Sequence, residues 1–381
     1  MKVLAIIHGF HPLRGGAETA ALEIASRARR EGVETVVLTA RMGGLPRDDE
    51  VRGVRVIRTR IPPRRLGPAG PGAMLAFAAS ALPRAHRLAG EADLVHAHFT
   101  LPAGLIALIA RRTQGRPYLV SLPGSDVPGY SLRPFSRLYG STVPLVRRVW
   151  RGASRVVAVS EDLRRYALRV DPAARIEIIP SGVESARDGS TGEERREPGR
   201  ILLVGRLIPL KGQAVFLRAL ARVRERYRGS LSAEIVGAGP DLERLRAEAA
   251  RLGLSQVVSI PGFLSDEALA TQYARASLFV MPSLNDAGPL AVLEAMAAGL
   301  PVVASAVGGI PEMVGRAGGL LVPPGDEQVL ADAILAVLSD PARAAEMART
   351  SRETALEFDW DAIARRYVSM YREVLSEEPR A

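Results

Sequence analysis

The feature that most constrains the fold is a repeated alternation of short apolar runs with longer segments of helical periodicity. The runs are four to seven residues long and rich in Val, Ile and Leu. Because they are continuously apolar, they are typical of strands buried on both faces in a parallel sheet that helices cover on both sides. The first series comprises KVLAII, ETVVLTA, VRVIR, DLVHAHF, PYLVSL, RVVAVS and RIEIIP. This series predicts a doubly wound α/β domain.

The polar segment SARDGSTGEERREPGR interrupts the pattern and has the composition of a linker. A second series follows, with RILLVG, SAEIVG, VVSIPG, SLFVMP, PVVASA and GLLVPP. Since 381 residues and an apolar fraction of 47% are ample for two cores, we predict two successive doubly wound domains. The predicted organisation is an N-terminal domain at 1–184, a linker at 185–199, a second domain at 200–357 and an amphipathic helix at 358–381 that crosses back to the first domain.

Ligands of doubly wound sheets bind beyond the carboxyl ends of the strands, where the strand order reverses. We therefore expect the ligand in a cleft between two facing domains. Glycines follow several of the predicted strands, among them Gly15, Gly16, Gly237 and Gly262. Such glycines let backbone amides approach a phosphate, although turns at these points need glycine in any case.

Several classes of enzyme lack support in the sequence. The chain contains no cysteine, which excludes disulfides, thiol nucleophiles and thiolate metal sites. Neither a P-loop motif nor an H-E-x-x-H motif occurs. The segment VGAGPDL has Leu242 where a dinucleotide fingerprint requires its third glycine, so a nicotinamide cofactor is disfavoured.

The segment VGRLIPLKG carries two cations at the end of a predicted strand and the start of the next helix, Arg206 and Lys211. Lys211 is one of only two lysines in an arginine-rich chain, the other being Lys2. Two cations about one turn apart can clamp a diphosphate and offset the charge that grows on it as it leaves. The alternative is a pair of solvated surface charges.

The segment NDAGPLAVLE places two carboxylates around a Gly-Pro pair, after a predicted strand. We predict a loop through Asp286, a helix whose first residue is Pro289, and free amides near Gly288, Pro289 and Leu290 that can hold a phosphate. Glu294 then lies among apolar residues of the helix, where a charge is costly unless it is paired.

A single ligand class uses all of these groups. A nucleoside-diphosphate sugar would bind its ribose hydroxyls to Glu294, its phosphates to the amides with Arg206 and Lys211, and its sugar to Asp286. For Asp286 alone, helix capping is the alternative.

At this point the chain resembles the retaining glycosyltransferases of family 4. The resemblance extends from GGAE at 15–18 through VGRLIPLKG and PSLNDAGPLAVLEAMAAGLPVVAS to VGGIPEMV and the terminal helix. It implies the GT-B fold of two facing Rossmann-like domains. It also implies transfer of a hexose from a UDP- or GDP-sugar to a lipid-linked or glycan acceptor, with no cofactor and no metal. The catalytic residues would be Arg206, Lys211 and Asp286, and the leaving diphosphate would help to deprotonate the acceptor hydroxyl.

The resemblance also suggests contacts in the first domain and shows two departures. Gly124, Ser125 and Asp126 look like the acceptor-side loop of the family. His98 lies at the end of a predicted strand that faces the cleft, which makes it a candidate contact for donor or acceptor, with a structural histidine as the equal alternative. The family usually has glutamate where this chain has Asp286. It usually has histidine before the glycine at 124, where this chain has Pro123.

Charge is unevenly distributed. The net charge is +10, and residues 1–190 contain 29 basic and 16 acidic side chains. An anionic membrane surface is therefore an expected partner, through the segments at 62–65 and 71–87, with a merely arginine-rich surface as the alternative. We expect no nucleic-acid partner and a cytoplasmic protein, peripheral on the inner face of the plasma membrane.

Two other functions remain open at this stage. One is a nucleotide-sugar epimerase of the same fold, which would need an acid-base pair beside the sugar. The other is a non-catalytic subunit that binds nucleotide sugar, an interpretation that Pro123 slightly favours.

Overall fold

The computed structural model describes residues 1–59, 70–130, 136–184 and 195–377. Contacts divide the chain into two compact units. Unit 1 comprises Met1–Ser181 and Trp360–Ala381, and unit 2 comprises Gly182–Asp359. The first and last segments of unit 2 lie side by side, because the Val183 amide donates to the Phe358 carbonyl at 2.7 Å.

Within the described residues, unit 1 contains an eight-stranded sheet with the order β3-β4-β2-β1-β5-β6-β7-β8. Every adjacent pair is parallel except β3 with β4. The strands are β1 Lys2–Ile6, β2 Glu34–Ala40, β3 Asp48–Val51, β4 Val54–Thr59, β5 Leu94–His98, β6 Tyr118–Leu122, β7 Arg155–Ala158 and β8 Ile176–Ile178.

Strand β3 is an element that the sequence pattern does not predict. Its sequence, DDEV, is polar because it forms the antiparallel edge of the sheet and pairs on one side only. Asp48 and Asp49 each lie 2.7 Å from an arginine of β4, Arg55 and Arg58 respectively. Charged side chains on an edge strand also oppose pairing with another sheet.

Helices cover the sheet of unit 1. They are α1 Gly16–Ala28, α2 Pro71–Glu91, α3 Leu105–Gln114, α4 Ser136–Gly152 and α5 Glu161–Val170, to which the end of the chain adds α13 Trp360–Glu377. Helix α13 packs against α1. Its buried face contains the predicted apolar positions, namely Trp360, Ile363, Ala364, Tyr367, Tyr371 and Val374.

Unit 2 has a six-stranded parallel sheet in its described residues, with the order β11-β10-β9-β12-β13-β14. This is the strand order of a Rossmann fold, in which the order reverses between the first and fourth strands, here β9 and β12. The strands are β9 Arg200–Val204, β10 Ser232–Val236, β11 Val258–Gly262, β12 Leu278–Met281, β13 Val302–Ser305 and β14 Leu320–Val322. Each of these strands lies within one of the apolar runs of the second series.

The helices of unit 2 follow its strands. They are α6 Gln213–Arg226, α7 Leu242–Arg251, α8 Asp266–Arg275, α9 Leu290–Ala297, α10 Ile310–Val314, α11 Glu327–Leu338 and α12 Pro341–Ala355. Apolar residues from both faces of the sheet form two core clusters. Across the described parts of both units, no helix combines the length and the apolar character needed to cross a membrane.

Candidate active site

The strands at the reversal point of unit 2 carry the residues that the sequence singles out. Strand β9 leads into the segment with Arg206 and Lys211, and β12 leads into the loop with Asp286. Because β9 and β12 are adjacent and parallel, both segments leave the same edge of the sheet at the same point. The fold thereby brings together residues that are 75 positions apart in the sequence.

Lys211 and Asp286 form an ion pair at this edge. The Lys211 ammonium group contacts Asp286 Oδ2, and the two side chains are only 15% and 12% exposed. The hydroxyl of the buried Ser283 donates to the same oxygen at 3.3 Å. Asp286 is thus held by two donors, one of which is cationic.

The two loops are also joined through their backbones. The Leu284 amide donates to the Leu210 carbonyl at 2.8 Å. Gly212 has a φ of 70°, and a β-carbon there would lie 1.9 Å from the Pro282 carbonyl oxygen. Only glycine fits this approach, so Gly212 sets the position of Lys211 relative to the second loop. The sequence analysis did not identify this role of Gly212, because the approach of Pro282 is visible only in the fold.

Arg206 is exposed at the end of β9. Its carbonyl oxygen accepts a hydrogen bond of 2.8 Å from the side-chain amide of Gln213, which is 1% exposed. This bond fixes the Arg206 backbone while the guanidinium group remains accessible to a ligand.

Glu294 projects from α9 and is paired with a residue that the sequence analysis did not identify. The Tyr273 hydroxyl, from α8, donates to Glu294 Oε2 at 2.7 Å. Burial raises the pKa of the Glu294 carboxyl, and the tyrosine hydrogen bond opposes that rise. Burial, together with the adjacent Glu294, raises the pKa of Tyr273 well above its usual value, so the phenol remains a donor. A partner for Glu294 was predictable from its apolar neighbours, but its identity was not.

The start of α9 differs from the prediction. Pro289 has a φ of −73° and a ψ of 118°, which makes it the N-cap residue, and Leu290 is the first helical residue. The extended ψ of Pro289 explains the shift by one position. Gly288 precedes the cap, and the Asp286 carbonyl accepts from the Gly309 amide at 3.1 Å, which fixes the loop from its other side.

Gly237 and Gly262 lie at the carboxyl ends of the two strands beyond β9. Gly237 has a φ of 149°, and a β-carbon there would lie 1.9 Å from the Gly205 carbonyl oxygen. Its amide donates to the Gly262 carbonyl at 2.9 Å. These contacts tie β10 and β11 to the segment that leads to Arg206.

In unit 1, the predicted residues also follow strands at the carboxyl edge. Gly15 is the extended N-cap residue of α1, and Gly16 is the first residue of that helix. A β-carbon at Gly15 would collide with the Glu18 carboxylate, so this glycine admits an acidic side chain close to the turn after β1.

His98 is the last residue of β5 and is buried. Its ring lies 4.1 Å from that of His96, whose nitrogens contact the Tyr371 hydroxyl and the Ser121 hydroxyl, each at 2.7 Å. Burial lowers the pKa of His98 to about 4, so its imidazole is neutral at pH 7. The structure thus places His98 at the expected strand end, inside a polar network of the core.

Asp126 follows β6 and is buried. Its Oδ2 accepts from the Thr100 amide at 2.6 Å, and the Thr100 hydroxyl accepts from the Trp150 indole at 2.9 Å. Burial raises the pKa of Asp126. The preceding Gly124 has a φ of 116°, and Ser125 is partly buried. Asp126 therefore joins the loop after β6 to the segment after β5.

Similarity to known proteins shows the family to which this chain belongs. The family model described as glycosyl transferases group 1 matches residues 190–354, and that described as glycosyl transferase 4-like domain matches residues 15–182. The GDP-mannose-dependent alpha-(1-6)-phosphatidylinositol monomannoside mannosyltransferase of Mycobacterium tuberculosis is 31% identical over 97% of this chain and 98% of its own length. The chain belongs to the family-4 glycosyltransferases, the glycosyl transferases of group 1. The family predicted from the motifs is thereby confirmed.

Other relatives of this glycosyltransferase agree. The D-inositol 3-phosphate glycosyltransferase of Acidothermus cellulolyticus is 32% identical, over 96% of this chain and 87% of the relative. Sucrose-phosphate synthase from Thermosynechococcus elongatus superposes with a TM-score of 0.82 at 23% identity, covering 99% of this chain and 100% of that chain. WaaG, a glycosyltransferase involved in lipopolysaccharide biosynthesis, superposes with a TM-score of 0.75 at 19% identity, covering 97% and 99%. These likenesses confirm the GT-B fold.

Proposed function

We propose that this glycosyltransferase is a retaining, metal-independent enzyme that transfers mannose from GDP-mannose to an inositol-containing lipid acceptor. Two full-length relatives support the choice of substrates: one is named for GDP-mannose and a phosphatidylinositol mannoside, and the other for inositol 3-phosphate. The observation that carries the proposal is the pairing of Lys211 with Asp286 at the reversal point of the unit 2 sheet.

The pair suits a diphosphate leaving group. Lys211 and the exposed Arg206 supply positive charge at the edge where a nucleoside diphosphate would lie. As the bond between the sugar carbon C1 and the phosphate oxygen breaks, negative charge grows on the β-phosphate, and fixed cations stabilise it. Donor binding would draw Lys211 away from Asp286 and leave that carboxylate to accept hydrogen bonds from the sugar hydroxyls.

Glu294 is the proposed contact for the nucleoside. The Glu294 carboxylate, in the second turn of α9, can accept hydrogen bonds from both ribose hydroxyls, and the Tyr273 hydrogen bond keeps it oriented. The amides at Gly288 and Leu290 would receive a phosphate at the helix N-terminus.

The proposed transfer step needs no protein nucleophile. The acceptor oxygen bonds to C1 on the face from which the diphosphate departs, and the acceptor proton passes to the departing phosphate oxygen. The products are GDP and a mannoside whose anomeric configuration matches that of the donor.

We also propose that the protein acts at the cytoplasmic face of a membrane, where a lipid acceptor would be accessible. In α2, which contains the segment predicted to contact lipid, Leu75 is 72% exposed. The other predicted segment, at 62–65, lies outside the described residues.

The test is a transfer assay with the purified protein. GDP-mannose, UDP-glucose and ADP-glucose are each incubated with phosphatidylinositol or its monomannoside in the presence of EDTA. Release of nucleoside diphosphate and the one-bond coupling between the anomeric carbon and its proton in the product are then followed by NMR. We expect acceptor-dependent GDP release and an α-linked product.

Three other outcomes would overturn the proposal in distinguishable ways. Conversion of the nucleotide sugar without acceptor would indicate an epimerase. Binding of GDP-mannose without release of GDP to any acceptor would indicate a non-catalytic subunit. Activity that EDTA abolishes and Mg²⁺ restores would contradict metal independence.

A further inference from the structure

Arginine side chains line a cavity of about 410 Å³ in unit 1. Ser26, Arg27, Arg29 and Arg30 come from the end of α1 and the 3₁₀ turn that follows it, and Arg52 comes from the tight turn between β3 and β4. Helix α1 begins after the carboxyl end of β1 and ends before the amino end of β2. The cavity therefore lies at the amino edge of the sheet, opposite His98, and a five-residue parallel strand separates the two edges by about 16 Å.

The guanidinium groups at this cavity share their carboxylate partners. Four guanidinium groups line it, and two carboxylates contact them in the described residues. Glu23, which is buried, pairs with Arg27 and Arg52. Asp361, from the first turn of α13, lies 2.9 Å from Arg27 and 3.2 Å from Arg30. Each of these two carboxylates is therefore shared by two guanidinium groups.

Arg52 occupies a backbone position that arginine rarely takes. Its φ is 51°, and that of the following Gly53 is 77°, so both residues of the two-residue turn are left-handed. Such turns favour asparagine, aspartate or glycine, because most other residues are sterically disfavoured at positive φ. Here the side chain reaches α1, where its nitrogens lie 2.5 Å and 3.2 Å from the Glu23 oxygens. The turn thus directs a fourth guanidinium group at the end of the helix.

The end of a helix attracts cations, but that effect does not account for this cluster. The C-terminal dipole of α1 favours Arg27, Arg29 and Arg30, which are its own residues or follow it directly. Arg52 comes from a different element and approaches cations that repel it. Glu23 offsets this repulsion but is shared with Arg27, and an anionic ligand would offset it further.

A second arginine-lined cavity at the same edge, of about 520 Å³, provides a contrast. There Arg151 makes two hydrogen bonds with Asp171, at 2.9 Å and 3.0 Å. Arg155 lies 2.8 Å from Glu177 and 2.5 Å from Glu377. The lining also includes Arg111 and Arg175. Arg151 and Arg155 each have carboxylate partners of their own, whereas at the end of α1 each carboxylate is shared by two guanidinium groups.

We propose that the cavity at the end of α1 binds the phosphate group of a phosphomonoester, with Arg30 and Arg52 as its main contacts. A phosphomonoester carries nearly two negative charges at pH 7, which would give guanidinium groups that share carboxylates a further anionic partner, and its oxygens suit the forked donors of arginine. Arg30 and Arg52 are 72% and 50% exposed, so both can turn toward a ligand. Because the cavity lies at the amino edge, its ligand is an effector or an anchor of the enzyme and not a reactant.

The test is a calorimetric titration of the full-length protein with inorganic phosphate. A parallel titration uses vesicles of phosphatidylcholine with and without phosphatidic acid, whose headgroup is a phosphomonoester. All variants carry Lys211→Ala, which removes the ammonium group assigned to the donor diphosphate. The cavity variants are Arg30→Gln alone and Arg30→Gln with Arg52→Gln. The control is Arg55→Gln with Arg349→Gln, which removes the same charge at comparably exposed sites outside the cavity.

We expect the cavity double variant to bind phosphate at least tenfold more weakly than its background, and the control to change affinity less than twofold. The Arg30→Gln single variant should weaken binding threefold or more. Because Arg30 is exposed, this substitution should leave the fold intact, so the loss of binding would not result from misfolding. If only binding to phosphatidic acid vesicles depends on the cavity, the phosphate belongs to a lipid headgroup. Equal losses in cavity and control variants, or no cavity-dependent binding of either probe, would overturn the proposal.

Discussion

The ammonium group of Lys211 contacts the carboxylate of Asp286 across two loops that follow the adjacent strands β9 and β12. The contact joins the two parts of the proposed donor site, one for the diphosphate and one for the sugar. Because the strand order reverses here, neither loop is covered by a neighbouring crossover, and a ligand can reach both.

We predict that Lys211→Ala lowers turnover by roughly two to three orders of magnitude, as loss of a transition-state donor does. The reason is that Lys211 would stabilise charge that develops only as the diphosphate departs. Steady-state kinetics with GDP-mannose would measure the effect. The control is Arg349→Ala, which removes an exposed cation of α12. A change confined to KM would contradict this role.

Ser283→Ala tests how Asp286 is positioned. The serine hydroxyl donates to Asp286 Oδ2, so its loss should leave the carboxylate less well placed for the sugar. We expect kcat/KM for GDP-mannose to fall roughly tenfold, the scale of one hydrogen bond to a charged group, while the affinity for GDP, which lacks the sugar, is unchanged. Ser305→Ala, at another buried serine, should affect neither quantity. Equal weakening of GDP binding would show that Ser283 acts on the fold instead.

Tyr273→Phe should weaken GDP binding roughly tenfold, because Glu294 would lose the hydrogen bond that orients it. Calorimetric titration with GDP measures this directly. Tyr227→Phe is the matched control, since Tyr227 packs against the core of unit 2 outside the candidate site. Unchanged GDP affinity in Tyr273→Phe would contradict the ribose assignment.

The pH dependence of nucleotide binding follows from Glu294. Burial raises the pKa of its carboxyl, and only the ionised form accepts both ribose hydroxyls. GDP affinity should therefore fall as the pH decreases through this raised pKa, at a higher pH than for an ordinary glutamate. Because the Tyr273 hydrogen bond lowers the pKa, Tyr273→Phe should move the transition to still higher pH, and Glu294→Gln should abolish it. A profile that Glu294→Gln leaves unchanged would exclude this carboxyl as its origin.

His98 should make the stability of the protein depend on pH as well, with lower stability at acid pH. Its pKa is about 4 in the folded protein and near 6.5 in the unfolded chain, so the unfolded chain binds more protons between these values. The free energy of unfolding should therefore increase as the pH rises from 4 to 6.5 and decrease as the pH falls through the same range. The contribution is on the order of 3 kcal/mol between pH 7 and pH 4. Urea unfolding of the wild type and His98→Gln at several pH values would show it as a narrowing difference at low pH, and a constant difference would contradict it.

The sequence predicts the fold better than it predicts the details of the site. Continuous apolar runs predict the parallel strands of both sheets, because burial on two faces leaves an unambiguous pattern. Strand β3 is missed since its edge position permits the polar sequence DDEV. Pro289 is shifted from first helical residue to N-cap, a one-residue difference that depends on ψ alone.

The sequence does not identify the partners of the site residues when those partners are distant along the chain. The motifs identify Lys211, Asp286 and Glu294, and the structure places the first two in contact; their catalytic and binding roles stay predictions. Tyr273 lies 21 positions before Glu294, in a helix whose pattern indicates only core packing. The role of Gly212 depends on the approach of Pro282, from a loop that only the folded sheet brings near.

The most direct test of the central claim, that unit 2 binds a nucleotide sugar through Lys211, Asp286 and Glu294, is an equilibrium titration of the wild type with GDP, UDP and NAD in the presence of EDTA. We predict saturable binding of GDP that Glu294→Gln weakens at least tenfold, and no binding of NAD. Binding of NAD but of neither nucleoside diphosphate would contradict the account.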